Sequence, residues 1–154
     1  MKLTGFTDYS LRVLIYLAAD PGRRATISEI AQAFEVSENH LMKVVHFLGK
    51  QGWVTTVRGK GGGIGLARSP EDVSIGRVVR DTEGLDQPAE CFSPSGGHCT
   101  ISPSCRLKGV LQEALRAFYA VLDGYTLADI SRNRHALVAL LHLQRDAPRP
   151  AAQR

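Results

Sequence analysis

The amino-acid sequence predicts a mainly α-helical fold with one small β-hairpin, and three observations support this. Apolar residues recur every third or fourth position through most of the chain, as they do along the buried side of a helix. Residues 26–29 (TISE) form a capping box of the kind that opens a helix. Residues 59–62 (GKGG) follow an alternating segment rich in Val and Thr, which is typical of a hairpin turn. In this order the elements predict a winged helix-turn-helix domain followed by a long dimerisation helix.

The first three helices account for the helix-turn-helix part of this prediction. The first is expected over residues 7–19, with Thr7 or Asp8 as its N-cap. The capping box opens a short second helix over residues 27–34, and a tight break leads to a third helix that Ser37 can cap. Because the third helix follows the turn, it is the expected recognition helix.

A hairpin called the wing is expected next, with strands over residues 53–58 and 63–67. Arg58 and Lys60 stand at its tip. A phosphate-binding loop is the alternative for these glycines, but no Gly-Lys-Ser/Thr end is present and no helix follows directly. A short helix over residues 74–84 completes the domain.

The second half of the chain has a different pattern. Residues 85–105 show no periodicity and contain all three cysteines. From Arg106 an apolar stripe runs for more than four turns and ends at residues 123–124. One side of so long a helix is covered either by the protein's own core or by a second subunit, and two-fold pairing is the commonest oligomeric solution. Short closing helices are expected over residues 126–132 and 134–143.

These patterns divide the chain into four parts. They are a winged helix-turn-helix domain (1–84), a cysteine-rich loop (85–105), a dimerisation helix with closing helices (106–143) and a disordered tail (144–154).

Length and composition exclude several classes of protein. A chain of 154 residues leaves no room for a large catalytic scaffold. Its apolar runs are too short to span a membrane, and its first residues lack the features of a secretory signal, so we expect a cytoplasmic protein with no membrane partner. An odd number of cysteines in a reducing compartment favours ligands or sensors over disulfides.

The excess of positive over negative charge lies in the first half of the chain. Residues 1–68 carry nine Lys or Arg against five Asp or Glu, whereas residues 69–154 carry ten of each. A basic half beside a neutral half indicates that only the first contacts a polyanion, although a solvated surface without a partner has the same composition.

The expected polyanion is double-stranded DNA, because a recognition helix presents its N-terminal polar residues to base edges in the major groove. An Asn amide can bond adenine in a bidentate way, and His or Lys can donate to guanine or to phosphate. Wing residues would follow the backbone or the minor groove. Helix capping is the alternative role for Ser37 and Asn39. The candidates are Ser28, Ser37, Glu38, Asn39, His40, Lys43, Arg58 and Lys60.

The three cysteines, Cys91, Cys99 and Cys105, are candidate ligands separated by gaps of seven and five residues. Spaced thiolates in a loop can surround an iron-sulfur cluster, whereas structural zinc more often uses pairs two residues apart. Zinc and metal-free redox thiols remain alternatives. Three thiolates leave one coordination position unfilled, for which the candidates are Asp86, Glu90, His98 or a residue from elsewhere.

The chain resembles the iron-sulfur winged-helix regulators of the IscR/NsrR family. The resemblance covers about residues 1–143 and is carried by residues 1–17 (MKLTGFTDYSLRVLIYL), 58–64 (RGKGGGI), 74–80 (SIGRVVR) and the cysteine loop with its following RLK. It implies a homodimer with one cluster per subunit, held by the three cysteines. Such a protein represses genes for nitric oxide detoxification and releases a palindromic operator when nitric oxide attacks the cluster.

The resemblance also implies the fourth ligand. In the nitric-oxide-sensing branch it can be an aspartate from the partner subunit, which corresponds to Asp8. The IscR-like branch uses a histidine three residues after the third cysteine, where this chain has Lys108, so the first branch is the better match. That branch favours a 4Fe-4S cluster over a 2Fe-2S cluster. The first cysteine gap is longer than the family pattern, with residues 93–97 resembling an insertion.

The expected function is therefore a DNA-binding repressor controlled by a cluster that senses nitric oxide. The alternative is a winged-helix regulator that senses redox or iron-sulfur status through a 2Fe-2S cluster, zinc or free thiols. A redox enzyme is not expected, because the sequence has neither a cofactor fold nor an acid-base constellation.

Overall fold

A computed structural model describes residues 2–84, 89–92 and 99–142. Within these residues the chain forms mainly helices and one two-stranded antiparallel sheet. The elements are α1 (Gly5–Ala19), α2 (Ile27–Phe34), α3 (Glu38–Lys50), β1 (Val54–Val57), β2 (Gly63–Leu66), α4 (Ile75–Glu83), α5 (Arg106–Asp123), α6 (Leu127–Ile130) and α7 (Arg134–His142). Single 3-10 turns cover Pro70–Asp72, Glu90–Phe92 and Ser102–Ser104. The predicted mainly helical, winged fold is confirmed.

Helix α1 begins at Gly5, two residues earlier than predicted, and the expectation that Thr7 or Asp8 caps it is wrong. Thr4 is the N-cap, and its hydroxyl accepts the Thr7 N–H at 3.2 Å. Thr7 is fully buried and its hydroxyl donates to Thr82 Oγ1 at 2.9 Å, so it is used in packing. The Thr4 backbone N–H donates to Glu83 Oε1 at 2.8 Å, which attaches the start of α1 to the end of α4.

The core lies around α1, which packs against helices α2, α3, α4, α6 and α7 and against β2. Leu14, Leu41 and Leu48 are almost completely buried there. Trp53 is 1% exposed, and its indole N–H donates to Asp81 Oδ2 at 3.0 Å, so the one polar atom of this large ring is satisfied. This core holds the helix-turn-helix, the wing and α4 in one unit.

The wing, defined here as residues 54–66, is shorter than predicted at both strands. Val54 pairs with Leu66 and Val57 with Gly63. Ile64 also exchanges two backbone hydrogen bonds with Ala25, at 2.7 and 2.9 Å, so the wing is fixed to the segment that leads into α2. A Cβ at Gly62 would overlap the Val57 carbonyl oxygen, which explains why the turn needs glycine there.

Helix α5 is fixed at its C-terminal end to α4. Arg80 donates two hydrogen bonds of 2.6 Å to the Asp123 carboxylate, and its guanidinium lies 4.4 Å from the centre of the Tyr119 ring. A Cβ at Gly76 would overlap the same carboxylate, so a glycine permits this close approach. The Leu127 N–H donates to the Val73 carbonyl at 2.8 Å, which places α6 beside the start of α4.

None of the residues of α5 is buried. Phe118 and Leu122 pack partly against the core, whereas Leu107, Val110 and Val121 are 59%, 60% and 63% exposed. The predicted long amphipathic helix is therefore present, and one of its apolar sides has no cover within the described part of the chain.

Some predictions lie outside the described residues. They concern Asp86, His98, the insertion at residues 93–97 and the tail at 144–154. No helix among the described residues is long and apolar enough to cross a membrane.

Candidate nucleic-acid interface and cysteine site

The exposed surface of α3 is built by its amphipathic pattern. Leu41, Val44 and Leu48 face the core, so the intervening polar residues face outward. Ser37 occupies the N-cap position with extended backbone, but its hydroxyl makes no capping hydrogen bond. The helix therefore begins without the side-chain cap expected from Ser37, and this exposed residue stands at the end of α3 that a recognition helix turns toward DNA.

Each of the eight residues predicted to contact DNA is exposed in the structure. Five of them, residues 37, 38, 39, 40 and 43, lie together at the start of α3. Arg58 and Lys60 lie on the wing, and Ser28 lies separately in the first turn of α2. The structure thus places polar and basic side chains of α3 and the wing on the surface, as contact with a polyanion requires.

The exposed face of α3 continues beyond the residues that the sequence singled out. Met42, His46 and Lys50 follow Asn39 at spacings of three and four residues and are exposed. They line a groove of about 790 Å³ between α3 and the wing, whose other wall includes Thr55, Thr56 and Arg58. The helical spacing is the signal that could have identified them.

Two ring contacts join α1 directly to α3. The ring of Tyr9 stacks on that of His40, with centroids 6.2 Å apart and an interplanar angle of 23°. Phe6 meets Phe47 edge to face at 5.2 Å. Because His40 is in the first turn of α3, the position of the recognition helix depends on the N-terminal half of α1.

The three cysteines are free and belong to the segments that lead into α5. Cys91 lies in the turn Glu90–Phe92, and Cys105 is the N-cap residue of α5. Cys99 is exposed, and its carbonyl accepts the Ser102 N–H at 3.0 Å in the turn that continues to Cys105.

Lys108 connects these two segments. Its Nζ lies 5.9 Å from the centre of the Phe92 ring. Phe92 is the residue after Cys91, and Lys108 lies one turn beyond Cys105. Lysine here cannot supply the histidine ligand of the IscR-like branch. Its position does bring the Cys91 turn to the N-terminal end of α5, where the helix dipole favours anionic groups.

The described part of one chain does not group Asp8 with the cysteines in a metal site. Within the described residues no three or more His, Cys, Asp or Glu side chains come together as metal donors. Asp8 instead forms an ion pair with Arg12, at 2.9 Å, with 47% of its own side chain exposed. Opposite charges at this i,i+4 spacing lie side by side on a helix, and this ion pair is the contact that Asp8 makes within one chain.

The donor set fits an iron-sulfur cluster. Three thiols unused in disulfides stand on short turns, so all three remain available as soft ligands for iron. The same donors can hold zinc, although none of the pairs has the two-residue spacing typical of structural zinc sites.

The winged helix, its exposed basic face and the separate cysteine segment define a DNA-binding transcription regulator. The family described as Rrf2, iron-dependent transcriptional regulator, matches residues 3–133. The chain belongs to this family, and it is a regulator and not an enzyme.

Named relatives confirm the resemblance found in the sequence. The HTH-type transcriptional regulator NsrR of Bacillus subtilis is 53% identical over 145 residues, which cover 94% of this chain and 99% of the relative. NsrR of Geobacillus kaustophilus is 49% identical over 146 residues, with 94% and 99% covered. Among solved structures, T. potens IscR has a TM-score of 0.70 at 28% identity, covering 86% of this chain and 88% of that one.

Proposed function

We propose that this chain is a transcriptional repressor whose binding to a DNA operator is controlled by an iron-sulfur cluster that responds to nitric oxide. The observation that carries the proposal is that two features lie on separate segments of the chain. The winged helix presents a polar and basic face, while three free cysteines lie on other segments before α5. One feature can bind DNA and the other can hold a sensor.

The repressor acts as a homodimer in this proposal. The exposed apolar side of α5, with Leu107, Val110 and Val121, supplies a surface that a second copy of the same helix would cover. A two-fold dimer places two α3 helices about 34 Å apart or a multiple of it, which matches a palindromic operator. Residues 1–84 then form the DNA-binding part, 85–105 the cluster loop and 106–143 the dimerisation part of a protein that works in the cytoplasm.

One cluster per subunit would be held by Cys91, Cys99 and Cys105, with Asp8 of the partner subunit as the fourth ligand. When bound, a 4Fe-4S cluster supplies iron atoms with which nitric oxide reacts, and a 2Fe-2S cluster is the alternative. A carboxylate oxygen is a harder and weaker ligand for this iron than a thiolate. Asp8 would have to exchange its ion pair with Arg12 for this bond, and its half-exposed side chain makes the exchange sterically feasible.

The path from Asp8 to DNA runs through α1. Tyr9, the next residue, stacks on His40 of α3, and Phe6 contacts Phe47 of the same helix. Gain or loss of an Asp8 ligand bond therefore acts on the element that positions the recognition helix. Each tenfold change in operator affinity corresponds to a difference of only about 1.4 kcal/mol in binding free energy between the forms with and without the Asp8 ligand bond. A modest displacement of α3 is therefore sufficient.

The test compares wild-type protein with Cys99→Ala, both purified without oxygen. We expect the wild type to be brown, to contain iron and sulfide, and to select a palindromic sequence from a pool of random DNA duplexes. Cys99→Ala should lose the cluster and bind the selected duplex more weakly. Cluster control would be contradicted if the wild-type protein were colourless and iron-free and still bound the selected duplex tightly. Zinc bound in place of iron would support the alternative regulator.

A further inference from the structure

Met42 is an apolar side chain in the middle of the exposed polar face of α3. It is 48% exposed, and it does not belong to the core cluster of the described residues or to the apolar side chains that pack against it. Asn39 precedes it by one turn, His46 follows it by one turn, and both are exposed. Because Met42 is not used in the core, its side chain is available to contact an apolar group on whatever α3 binds.

The surroundings of Met42 indicate the chemistry of the partner. The groove that it lines contains His46, Lys50 and Arg58 beside apolar side chains, and Lys43 lies next to Met42 on the same helix. These basic side chains favour a polyanion and disfavour an apolar protein surface. The partner must therefore combine negative charge with a small exposed apolar group.

Duplex DNA has this combination in its major groove. Base edges there present hydrogen-bond donors and acceptors, and thymine adds its C5 methyl group. We propose that Met42 is a specificity-determining residue that recognises the methyl group of one thymine in each operator half-site. This inference rests on the proposed function, in which α3 enters the major groove of an operator.

The experiment uses the duplex selected by anaerobic wild-type protein. Each thymine of one half-site is replaced singly by uracil, which removes the methyl group and keeps every hydrogen-bonding atom of the base edge. At one position we expect the wild type to bind about fourfold more weakly, which is the effect of burying one methyl group. Met42→Ala should bind the thymine and uracil duplexes equally, so that the four measurements form a double-mutant cycle.

Val57→Ala is the matched control. Val57 is 47% exposed on β1, so this variant also shortens an exposed apolar side chain of the winged helix. It should keep the difference between thymine and uracil that Met42→Ala loses. Thermal unfolding and the mass of the assembly should be unchanged in Met42→Ala, because its side chain lies outside the core.

Three outcomes would overturn the inference. The first is that uracil weakens binding at none of the thymine positions. The second is that the effect of uracil is as large in Met42→Ala as in the wild type. The third is that Met42→Ala changes the oligomeric state, which would place Met42 between copies of the chain. In each case the proposed function would still be supported, provided that the wild-type protein selects an operator sequence. If wild-type protein selects no duplex, the proposed function fails first and the inference fails with it.

Discussion

At the scale of single residues, Asp8 is the position where one chain and the proposed dimer require different partners. In one chain its carboxylate is paired with Arg12, and both side chains are nearly half exposed. Exposed ion pairs of this kind contribute at most about 1 kcal/mol to stability. The pair is therefore weak enough to be exchanged for a bond to iron.

Comparison of Asp8→Ala with Arg12→Ala separates the two roles. If Asp8 is a ligand, Asp8→Ala should speed the loss of the cluster and change its reaction with nitric oxide, while Arg12→Ala should retain both properties. Absorption spectra recorded during anaerobic dialysis and nitric oxide titration measure them. Identical behaviour of the two variants would leave Asp8 as a surface ion-pair partner only.

Lys60 tests the wing. Lysine at this position contacts phosphate in the proposed complex, so Lys60→Ala should weaken binding to every DNA sequence to a similar degree. It should also lower the slope of log affinity against log salt by about one. Arg132→Ala, which removes a positive and exposed side chain from the turn after α6, should leave both quantities unchanged. A loss confined to one base pair would show that Lys60 reads sequence.

At the scale of elements, the contact between α4 and α5 depends on Arg80 and Asp123. The hydrogen bonds from Arg80 hold the pKa of Asp123 below its ordinary value of 3.8. A carboxyl group whose pKa is lower in the folded state than in the unfolded state stabilises the fold. This contribution is complete at pH values above the unfolded-state pKa, and it is lost as the pH falls through the folded-state pKa. The α4–α5 contact is thus weakest in acid.

Asp123→Asn should consequently lower the free energy of unfolding at about pH 6 and have a much smaller effect at about pH 2. Urea denaturation at the two pH values measures the difference. The Arg80→Gln background is the control, because Asp123→Asn should show no such pH dependence once the partner is absent. An equal loss at both pH values would mean that Asp123 acts through packing beside Gly76 and not through its charge.

Local signals explain why the order of the elements could be predicted. The capping box of α2, the period of α5 and the glycines of the wing each act within a few residues. The start of α1 could not be found in this way. Its capping residue, Thr4, is fixed by a hydrogen bond to Glu83, 79 residues away, and no local pattern reports such a contact.

The same distinction applies to the candidate site. Polar residues at the start of α3 could be selected because their type and position both indicate DNA. Met42 could not, since an apolar residue among helical positions is usually part of a core, and only its exposure in the fold shows otherwise. The pairing of Asp8 with Arg12 follows from their i,i+4 spacing on one helix, but the link from Tyr9 to His40 requires the packing of α1 on α3.

At the scale of the whole molecule, the proposed function gives three parts of the chain distinct tasks that depend on each other. In that proposal the winged helix binds DNA, the cysteine segment holds the sensor, and the exposed side of α5 joins two copies. Helix α1 connects them, since it carries Asp8, contacts α3 and is attached to α4 just before the cysteine loop. In the proposed mechanism, the state of the cluster sets the affinity for the operator.

The most direct measurement is an anaerobic titration of the selected operator with cluster-loaded protein before and after addition of nitric oxide. We predict a loss of affinity of about tenfold or more, which needs a coupling free energy of only about 1.4 kcal/mol. Protein from which the cluster has been removed should show no response to nitric oxide. Equal operator affinity before and after nitric oxide, in protein whose spectrum shows that the cluster has reacted, would contradict the account.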